Sequence, residues 1–326
     1  MTDKPLYAIP SMSEIELVTP NGFRAISTFS GCGGSCLGYR MAGFDVLWAS
    51  EFIPAAQETY RANHPKTILD ARDIRKVTPD DVLSAIGLAS GDVDLMDGSP
   101  PCASFSTAGK RESGWGKIKK YSDKAQRTDD LFFEFIRLLA GIKPKVFVAE
   151  NVSGLVKGTA KGYFLEILAA LKSSGYRVAC KVLDAQWLGV PQSRQRTIFV
   201  GVRNDLGVLP AHPQPLPYRY SVRDALPWIL KIAVTSTRYK DASTVQASTV
   251  QASTGRRTSS TFQNEPLGMV EAETDISRFA IGAEYDKLKV GEASKRFFSL
   301  VRVDPDVPHP TVCQCHGDSN VASPTH

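Results

Sequence analysis

Four residues with reactive or binding side chains lie beside segments that read as buried strands. Cys102 directly follows two prolines, Glu150 ends an apolar run, and Arg194 and Arg196 alternate before another such run. The prolines restrict the backbone, so a thiolate at Cys102 could attack a substrate from a defined position. Paired guanidinium groups can hold a carboxylate or the carbonyl of a base. Singly, these residues could be a buried thiol, a capping acid and surface arginines; together they predict an active site.

The first 200 residues alternate short β-type runs with helix-type patterns. The predicted strands are 23–29, 45–51, 92–98, 145–151, 177–184 and 197–203. The predicted helices are 34–42, 54–63, 79–87, 129–141 and 160–174. Several strands are apolar on both faces, as buried parallel strands are. The alternation predicts an α/β fold with a doubly wound, mostly parallel sheet that binds ligands at the carboxyl ends of its strands, where Cys102 and Glu150 are expected.

A glycine-rich turn follows the first predicted strand. The segment 27–51 runs from that strand through Gly31, Gly33 and Gly34 into a helix and then a second strand that ends at Glu51. Glycines let the backbone approach a ligand closely, and an acid at this place can hold ribose hydroxyls. The G-x-G-G spacing differs from G-x-G-x-x-G, which counts against a dinucleotide. NAD, FAD, S-adenosylmethionine and a turn without a ligand all remain open.

Composition and charge narrow the class of protein. The chain has 326 residues and a net charge of +5, with 42% hydrophobic residues. It has no apolar run near the roughly 18 residues of a membrane span, and its N-terminus does not resemble a signal peptide, so we expect a cytoplasmic protein. Its six cysteines are too few and too irregularly spaced for a disulfide scaffold, so we expect free thiols. Between Lys110 and Arg127, seven basic residues face two acids. This segment suits nucleic acid, although a solvated surface loop would look the same.

The character of the sequence changes after Arg203. Residues 205–220 contain four prolines, and residues 241–255 repeat the unit ASTVQ. Such segments are typical of connections and of low-complexity surface excursions. We therefore predict two domains, residues 1–203 and residues 204–326.

The order of the motifs resembles the DNA (cytosine-5)-methyltransferase family. F-S-G-C-G-G, P-P-C, E-N-V and Q-S-R-Q-R occur in that order within residues 23–203. The resemblance implies a Rossmann-like methyltransferase domain with a smaller, irregular target-recognition region. It implies S-adenosylmethionine as methyl donor, double-stranded DNA as substrate, and a flipped-out cytosine that is methylated at C5. The resemblance implies DNA methylation of the restriction-modification kind and a DNA-associated protein encoded by a bacterium or a phage, and it leaves open whether a partner restriction enzyme exists.

The resemblance also assigns roles to individual residues. Cys102 would add to C6 of the cytosine, Glu150 would bind N3 and the exocyclic amine, and Arg196 with Arg194 would hold O2 and orient Glu150. The residues expected to bind the cofactor are Phe29, Gly31, Gly33, Gly34, Glu51, Phe52, Asp73, Ile74, Pro100 and Leu131. The residues expected to bind DNA are Ser104, Ser106, Lys110, Arg111 and Gln192. The segment after Cys102 would be a mobile loop that closes over the DNA.

The chain departs from the family pattern in three places. Ala103 stands where a glutamine is usual, and Ser27-Thr28 stand where the first motif often carries an acid. The R-x-L-T-type motif and the closing G-N-x-V helix are not found. We therefore expect an interrupted reading frame, a shortened chain, or a half-enzyme completed by a second polypeptide, and otherwise a monomer.

Three other functions are weighed against this one. A tRNA cytosine methyltransferase would carry a Cys-Phe-Thr element, which is not found here. A non-catalytic DNA-binding subunit fits the missing C-terminal motifs, and a nicotinamide oxidoreductase fits only the fold.

No metal is expected, because 313-CQCH-316 has no second Cys/His pair at suitable spacing. Cys36 is predicted to be a packing residue, and His64 is given no role. The DNA recognition sequence cannot be read from the chain.

Overall fold

The computed structural model describes residues 4–101, 119–121, 124–126, 131–156, 161–226, 280–285, 287–296 and 300–311. Its strands are β1 (Arg24–Thr28), β2 (Asp45–Ser50), β3 (Ile68–Asp70), β4 (Leu95–Gly98), β5 (Lys119–Tyr121), β6 (Lys124–Gln126), β7 (Val146–Val152), β8 (Tyr176–Asp184), β9 (Gln192–Ser193), β10 (Gln195–Arg203) and β11 (His309–Pro310). Its helices are α1 (Met12–Glu16), α2 (Gly34–Met41), α3 (Pro54–Asn63), α4 (Pro79–Ile86), α5 (Leu131–Ile142), α6 (Lys161–Ser173), α7 (Val222–Ala225) and α8 (Ala280–Tyr285). Every predicted strand and helix is present, with ends that differ by at most three residues.

Seven of these strands form one sheet in the order β3-β2-β1-β4-β7-β10-β8. β1 pairs in parallel with β2 and with β4, β4 pairs in parallel with β7, and β10 runs antiparallel to β7. The predicted doubly wound, mostly parallel sheet is thereby confirmed. The chain moves outward from β1 to β3 and then returns to the other side of β1 with β4. The winding therefore reverses between β1 and β4, which is where such sheets bind ligands.

Helices cover both faces of the sheet. Successive residues of a strand point to opposite faces, and apolar residues lie on both, so each face needs helices to bury it. On one face, Ile26 and Met96 pack with buried residues of α4, α5 and α6. On the other face, Ala25 and Leu95 pack with Cys36 of α2 and with a residue of α3. Cys36 is fully buried, so its predicted packing role is confirmed.

The local sequence explains where α4 begins and ends. Thr78 accepts a hydrogen bond from the Asp81 N–H, the Asp81 side chain accepts one from the Thr78 N–H, and Pro79 occupies the first turn. Gly87 ends the helix in the left-handed conformation, with φ of 66°. α4 and its neighbour α5 bury the apolar face that supports β1 and β4. None of the described helices combines the length and apolar character needed to cross a bilayer.

Contacts between residues divide the chain into two compact units. The first consists of Pro10–Leu183 and Gln195–Pro213 and contains the sheet. The second consists of Met1–Ile9, Asp184–Arg194 and Gln214–His326. In the described part of the second unit, β9 pairs in parallel with β11, and a capping box begins α7. The functional boundary near residue 203 stays a prediction.

Asp94 joins three central strands at their amino ends, away from the predicted ligand edge. Its carboxylate accepts hydrogen bonds from Lys145 Nζ (2.7 Å) and from the Arg24 N–H (2.8 Å). Burial alone would raise the pKa of Asp94, but these hydrogen bonds outweigh burial and hold the pKa below its ordinary value of 3.8. The side chain is 9% exposed, so solvent screens the contacts only in part.

We expect Asp94→Asn to lower the free energy of unfolding by about 1–2 kcal/mol near neutral pH, because a charged acceptor is lost. A lowered folded-state pKa contributes stability above the unfolded pKa of 3.8, and that contribution is lost as the pH falls through the folded value. Urea denaturation at neutral pH and again below the folded pKa measures the effect. A difference between the two proteins that is the same at both pH values would contradict this account.

Candidate active site

The turn between β1 and α2 has a backbone that few residues adopt. Phe29 is one of two described non-glycine residues with positive φ (54°), and Gly31 and Gly33 have φ of 56° and 89°. The Ser30 N–H donates to the Ser50 carbonyl (3.0 Å), which fixes the turn to the end of β2. A Cβ built on Gly31 or Gly34 would meet no described atom within 4 Å. No described atom therefore fills the space beside Gly31 and Gly34, and glycine adopts the positive φ angles at positions 31 and 33 without strain.

Glu51 lies directly after β2 with its carboxylate aimed back at this turn. One oxygen accepts from the Gly31 N–H (2.8 Å) and the other from the Ile53 N–H (2.7 Å). The residue is 9% exposed, and Gln57 Nε2 donates to its carbonyl (2.8 Å). Because a carboxylate has about four acceptor positions, these two contacts leave it able to accept ribose hydroxyls as well. The predicted contact of Glu51 with ribose stays a prediction.

His64 contacts the glycine turn at Gly33. Its Nε2 lies 3.0 Å from the Gly33 carbonyl oxygen, and its Nδ1 lies 3.3 Å from a guanidinium nitrogen of Arg40. Burial lowers the pKa of His64, so the neutral imidazole is favoured, with Nε2 as donor to Gly33 and Nδ1 as acceptor from Arg40. A Cβ on Gly33 would lie 2.3 Å from Nε2. No motif in the sequence identifies this histidine; the contact is visible only in the fold.

The other residues predicted to bind the cofactor occupy three places. Asp73 caps a 3₁₀ turn, Ile74–Lys76, through the Arg75 N–H, and Ile74 is buried. Pro100 is buried after β4, and Leu131 is fully buried in the core at the start of α5. Phe52 is half-buried beside Glu51. Their contact with a cofactor stays a prediction.

Glu150 and Arg196 meet at the carboxyl end of β7. Glu150 lies opposite Ile198 in the antiparallel pair of β7 and β10, and Arg196 is two residues away on the same face. Arg196 Nε is 2.6 Å from Glu150 Oε1, with side chains 22% and 31% exposed. Within the described part of the chain, this N–H has no aligned hydrogen-bond partner, so the contact is an ion pair by proximity. Both groups are partly open to solvent.

The segment that leads to Cys102 is tied to the same strand. Asn151 is buried, and its Nδ2 donates to the Pro100 carbonyl (3.2 Å). Its Oδ1 accepts from the Val152 N–H (2.9 Å), which orients the amide. β4 and β7 are parallel neighbours, so the chain that approaches Cys102 and the Glu150 side chain leave the sheet at one edge.

Several residues predicted for the site either lie outside the described part of the chain or belong to the second unit. Cys102, Ser104, Ser106, Lys110 and Arg111 lie outside the described residues, as does 313-CQCH-316. Arg194 and Gln192 belong to the second unit, where the Arg194 carbonyl accepts from the Ala185 N–H (3.0 Å) and Gln192 pairs with a residue of β11. The part of the chain that the structure describes contains no cluster of three metal-ligating side chains.

Comparison with known proteins assigns the family. The family model described as C-5 cytosine-specific DNA methylase matches residues 23–295. The chain is 37% identical over 196 residues to the Type II methyltransferase M.NgoPII of Neisseria gonorrhoeae, covering 60% of this chain and 52% of that protein. It is 36% identical over 222 residues to the Type II methyltransferase M1.HphI of Haemophilus parahaemolyticus, covering 68% and 56%. The chain thus spans about half the length of the curated relatives it matches.

The fold is also found in a solved structure. A prophage-encoded E. coli protein, provisionally described as a DNA modification methyltransferase, superposes with a TM-score of 0.59 at 22% identity. The match covers 89% of this chain and 82% of that one, and at this identity it is evidence for the fold alone. The family match, which covers most of the chain, carries the assignment. This chain belongs to the C-5 cytosine-specific DNA methylase family.

Proposed function

We propose that this chain transfers a methyl group from S-adenosylmethionine to C5 of a cytosine that is flipped out of double-stranded DNA. The observation that carries the proposal is the Glu150–Arg196 ion pair at the carboxyl end of β7. It lies one strand away from the segment that leads to Cys102, and Asn151 binds that segment through Pro100. A carboxylate and a guanidinium held together in this way match the polar edge of cytosine.

The turn between β1 and α2 fits S-adenosylmethionine. Beside Gly31 and Gly34 no described atom occupies the place of a Cβ, and Glu51 holds its carboxylate against the turn directly after β2. When bound, this cofactor would supply an electrophilic methyl group, whose bond to sulfur breaks as the bond to C5 forms, and S-adenosylhomocysteine would be the leaving group. Gly31, Gly33 and Gly34 would allow it close to the backbone, Glu51 would accept its ribose hydroxyls, and Asp73 would face the adenine.

Cys102 would act as a nucleophile on the cytosine ring. Its thiolate adds to C6, a carbon–sulfur bond forms, and the electron pair of the C5–C6 double bond moves onto C5 and toward N3. C5 then carries the electron density that methylation requires. After methylation, a base removes the C5 proton, the C5–C6 double bond re-forms, and the cysteine leaves as thiolate.

Glu150 and Arg196 would hold the base while this happens. Glu150 would bind N3 and the exocyclic amine and supply a proton to N3 as charge develops there. Arg196 would hold O2, with Arg194 as its predicted partner, and its contact with Glu150 would help to orient that side chain. The segment after Cys102 would close over the DNA.

The partners follow from the same chemistry. Double-stranded DNA would bind along Ser104, Ser106, Lys110, Arg111 and Gln192. A second polypeptide that supplies the remaining family motifs is the alternative to a self-sufficient monomer. The alternative function is that of a DNA-binding subunit without its own activity.

The experiment uses S-adenosylmethionine with a deuterated methyl group, plasmid DNA and the purified chain. Mass spectrometry of the nucleosides is expected to find the label in 5-methyl-2′-deoxycytidine. Label on the cytosine amine or on adenine would overturn the proposal. Label in a parallel reaction with tRNA would favour a tRNA cytosine methyltransferase. No label, with binding of S-adenosylhomocysteine retained, would point to a chain that needs a second polypeptide.

A second arm tests the covalent step. DNA with 5-fluorocytosine at the target cannot lose a proton from C5, so the adduct should persist under denaturing conditions. Peptide mapping is expected to place the nucleotide on Cys102. An adduct on another cysteine would contradict the assigned nucleophile.

A further inference from the structure

Asp97 is a buried acid at the point where the winding of the sheet reverses. It lies in β4, five residues before Cys102, and is 3% exposed. Its carboxylate accepts hydrogen bonds from Ser35 Oγ (2.7 Å), Tyr39 Oη (3.0 Å) and Ser27 Oγ (3.1 Å). These donors come from β1 and α2, so one carboxylate joins three elements of the first unit.

The donors lie on both sides of the glycine turn. Ser27 precedes Phe29 by two residues, and Ser35 directly follows Gly34. We propose that Asp97 is a positioning residue that fixes both ends of the turn at residues 29–34 and couples the turn to the β4 segment that leads to Cys102. The inference rests on the proposed cofactor site, and Asp97 would affect cofactor binding through the glycine turn.

The chemistry of the donors favours an acid at this place. The side chains of Ser27, Ser35 and Tyr39 can each donate a hydroxyl proton, and a carboxylate is a pure acceptor with room for all of them. Burial raises the pKa of Asp97, while the three hydroxyls act in the opposite direction. A buried acid is costly unless it is fully hydrogen-bonded, so this network strongly specifies one arrangement of β1, β4 and α2.

Packing around β4 keeps the carboxylate where it is. The Thr28 hydroxyl donates to the Asp97 carbonyl (3.2 Å). A Cβ on the next residue, Gly98, would lie 2.6 Å from both Thr28 Oγ1 and Phe135 Cδ2. The strand can approach β1 this closely only because residue 98 is glycine. A shift of β4 would therefore move the turn and the approach to Cys102 together.

The pairing of β1 with β4 suggests a variant in which the residues at positions 27 and 97 are exchanged. Ser27 and Asp97 are paired across β1 and β4. Ser27 also stands two residues before Phe29, at the place where the first motif often carries an acid. The acid and the hydroxyl can thus be exchanged between neighbouring strands without changing the chemical composition of the cluster.

The test measures binding of S-adenosylhomocysteine to the full chain by isothermal titration calorimetry, with thermal unfolding of each protein. The variants are Asp97→Ser, the exchange Ser27→Asp with Asp97→Ser, and Asp94→Asn as a control acid at the opposite end of the same strands. Asp97→Ser is expected to weaken binding about tenfold or more. The exchange is expected to recover most of that loss, and Asp94→Asn should lower the unfolding temperature without changing affinity.

The outcomes separate the positioning role from the cofactor site itself. Unchanged affinity in Asp97→Ser, or a loss that the exchange variant does not recover at equal thermal stability, would overturn the role of Asp97. Absence of binding by the unaltered chain would instead count against the proposed cofactor site. Asp97→Asn, which keeps one acceptor oxygen, replaces Asp97→Ser if that variant does not fold, and an intermediate loss of affinity is then expected.

Discussion

Glu150→Gln is expected to lower the rate of methyl transfer by about 10²–10⁴-fold, the usual contribution of a positioned general acid. Glutamine keeps the size of the side chain and can still reach O and N atoms of the base. It cannot supply a proton to N3, and it loses the ion pair in which Arg196 Nε lies 2.6 Å from Oε1. Methyl transfer to DNA under saturating cofactor, in whichever assembly proves active, measures the effect.

The control variant is Glu166→Gln, which removes an exposed acid of α6 in the same unit. Its rate should equal that of the unaltered chain. Binding of S-adenosylhomocysteine should be the same in both variants, since Glu150 lies at the end of β7 and not at the turn after β1. A Glu150→Gln rate within threefold of the unaltered rate would remove Glu150 from the mechanism.

Gly33→Ala should weaken the affinity for S-adenosylhomocysteine by an order of magnitude or more. Gly33 has φ of 89°, a conformation that costs an L-residue about 1–2 kcal/mol. The added Cβ would also lie 2.3 Å from His64 Nε2 and 3.0 Å from Tyr60 Cδ2, and His64 is buried, so it has little room to move. The turn must therefore shift away from its position beside Glu51.

Gly38→Ala offers a matched control in α2, the helix that begins directly after Gly33. Gly38 lies within α2, a Cβ there meets no described atom within 4 Å, and its φ is not positive. Alanine in a helix interior is expected to stabilise the fold by about 0.5–1 kcal/mol and to leave affinity unchanged. Calorimetric titration and thermal unfolding of both variants provide the comparison. Equal affinity in the two variants would show that binding of S-adenosylhomocysteine does not depend on the backbone conformation at Gly33.

Much of the fold could be predicted from the sequence because its signals are local. The strands are short apolar runs, and Thr78, Pro79 and Gly87 mark the ends of α4 within the residues that form it. The predicted elements agree with the structure for the same reason. β3, a strand of three residues, was not predicted, because so short a run carries little pattern.

The candidate site was predicted only in part. Glu51 and the turn glycines follow from a motif whose spacing reflects one βα turn. Glu150 and Arg196 could be named from their motifs, but their contact depends on β10 entering the sheet antiparallel beside β7. No local pattern specifies that strand order, so the ion pair is a finding of the tertiary structure.

The sequence by itself determined the residue types that perform chemistry and the alternation of strands and helices, because both are written in short stretches of chain. The tertiary structure alone decided which distant side chains meet. Asp97 and Ser27 are 70 residues apart in the chain, and His64 and Gly33 are 31 apart. These pairs form because parallel strands and crossover helices bring remote segments to one edge of the sheet, and the hydrogen bonds that result hold the glycine turn.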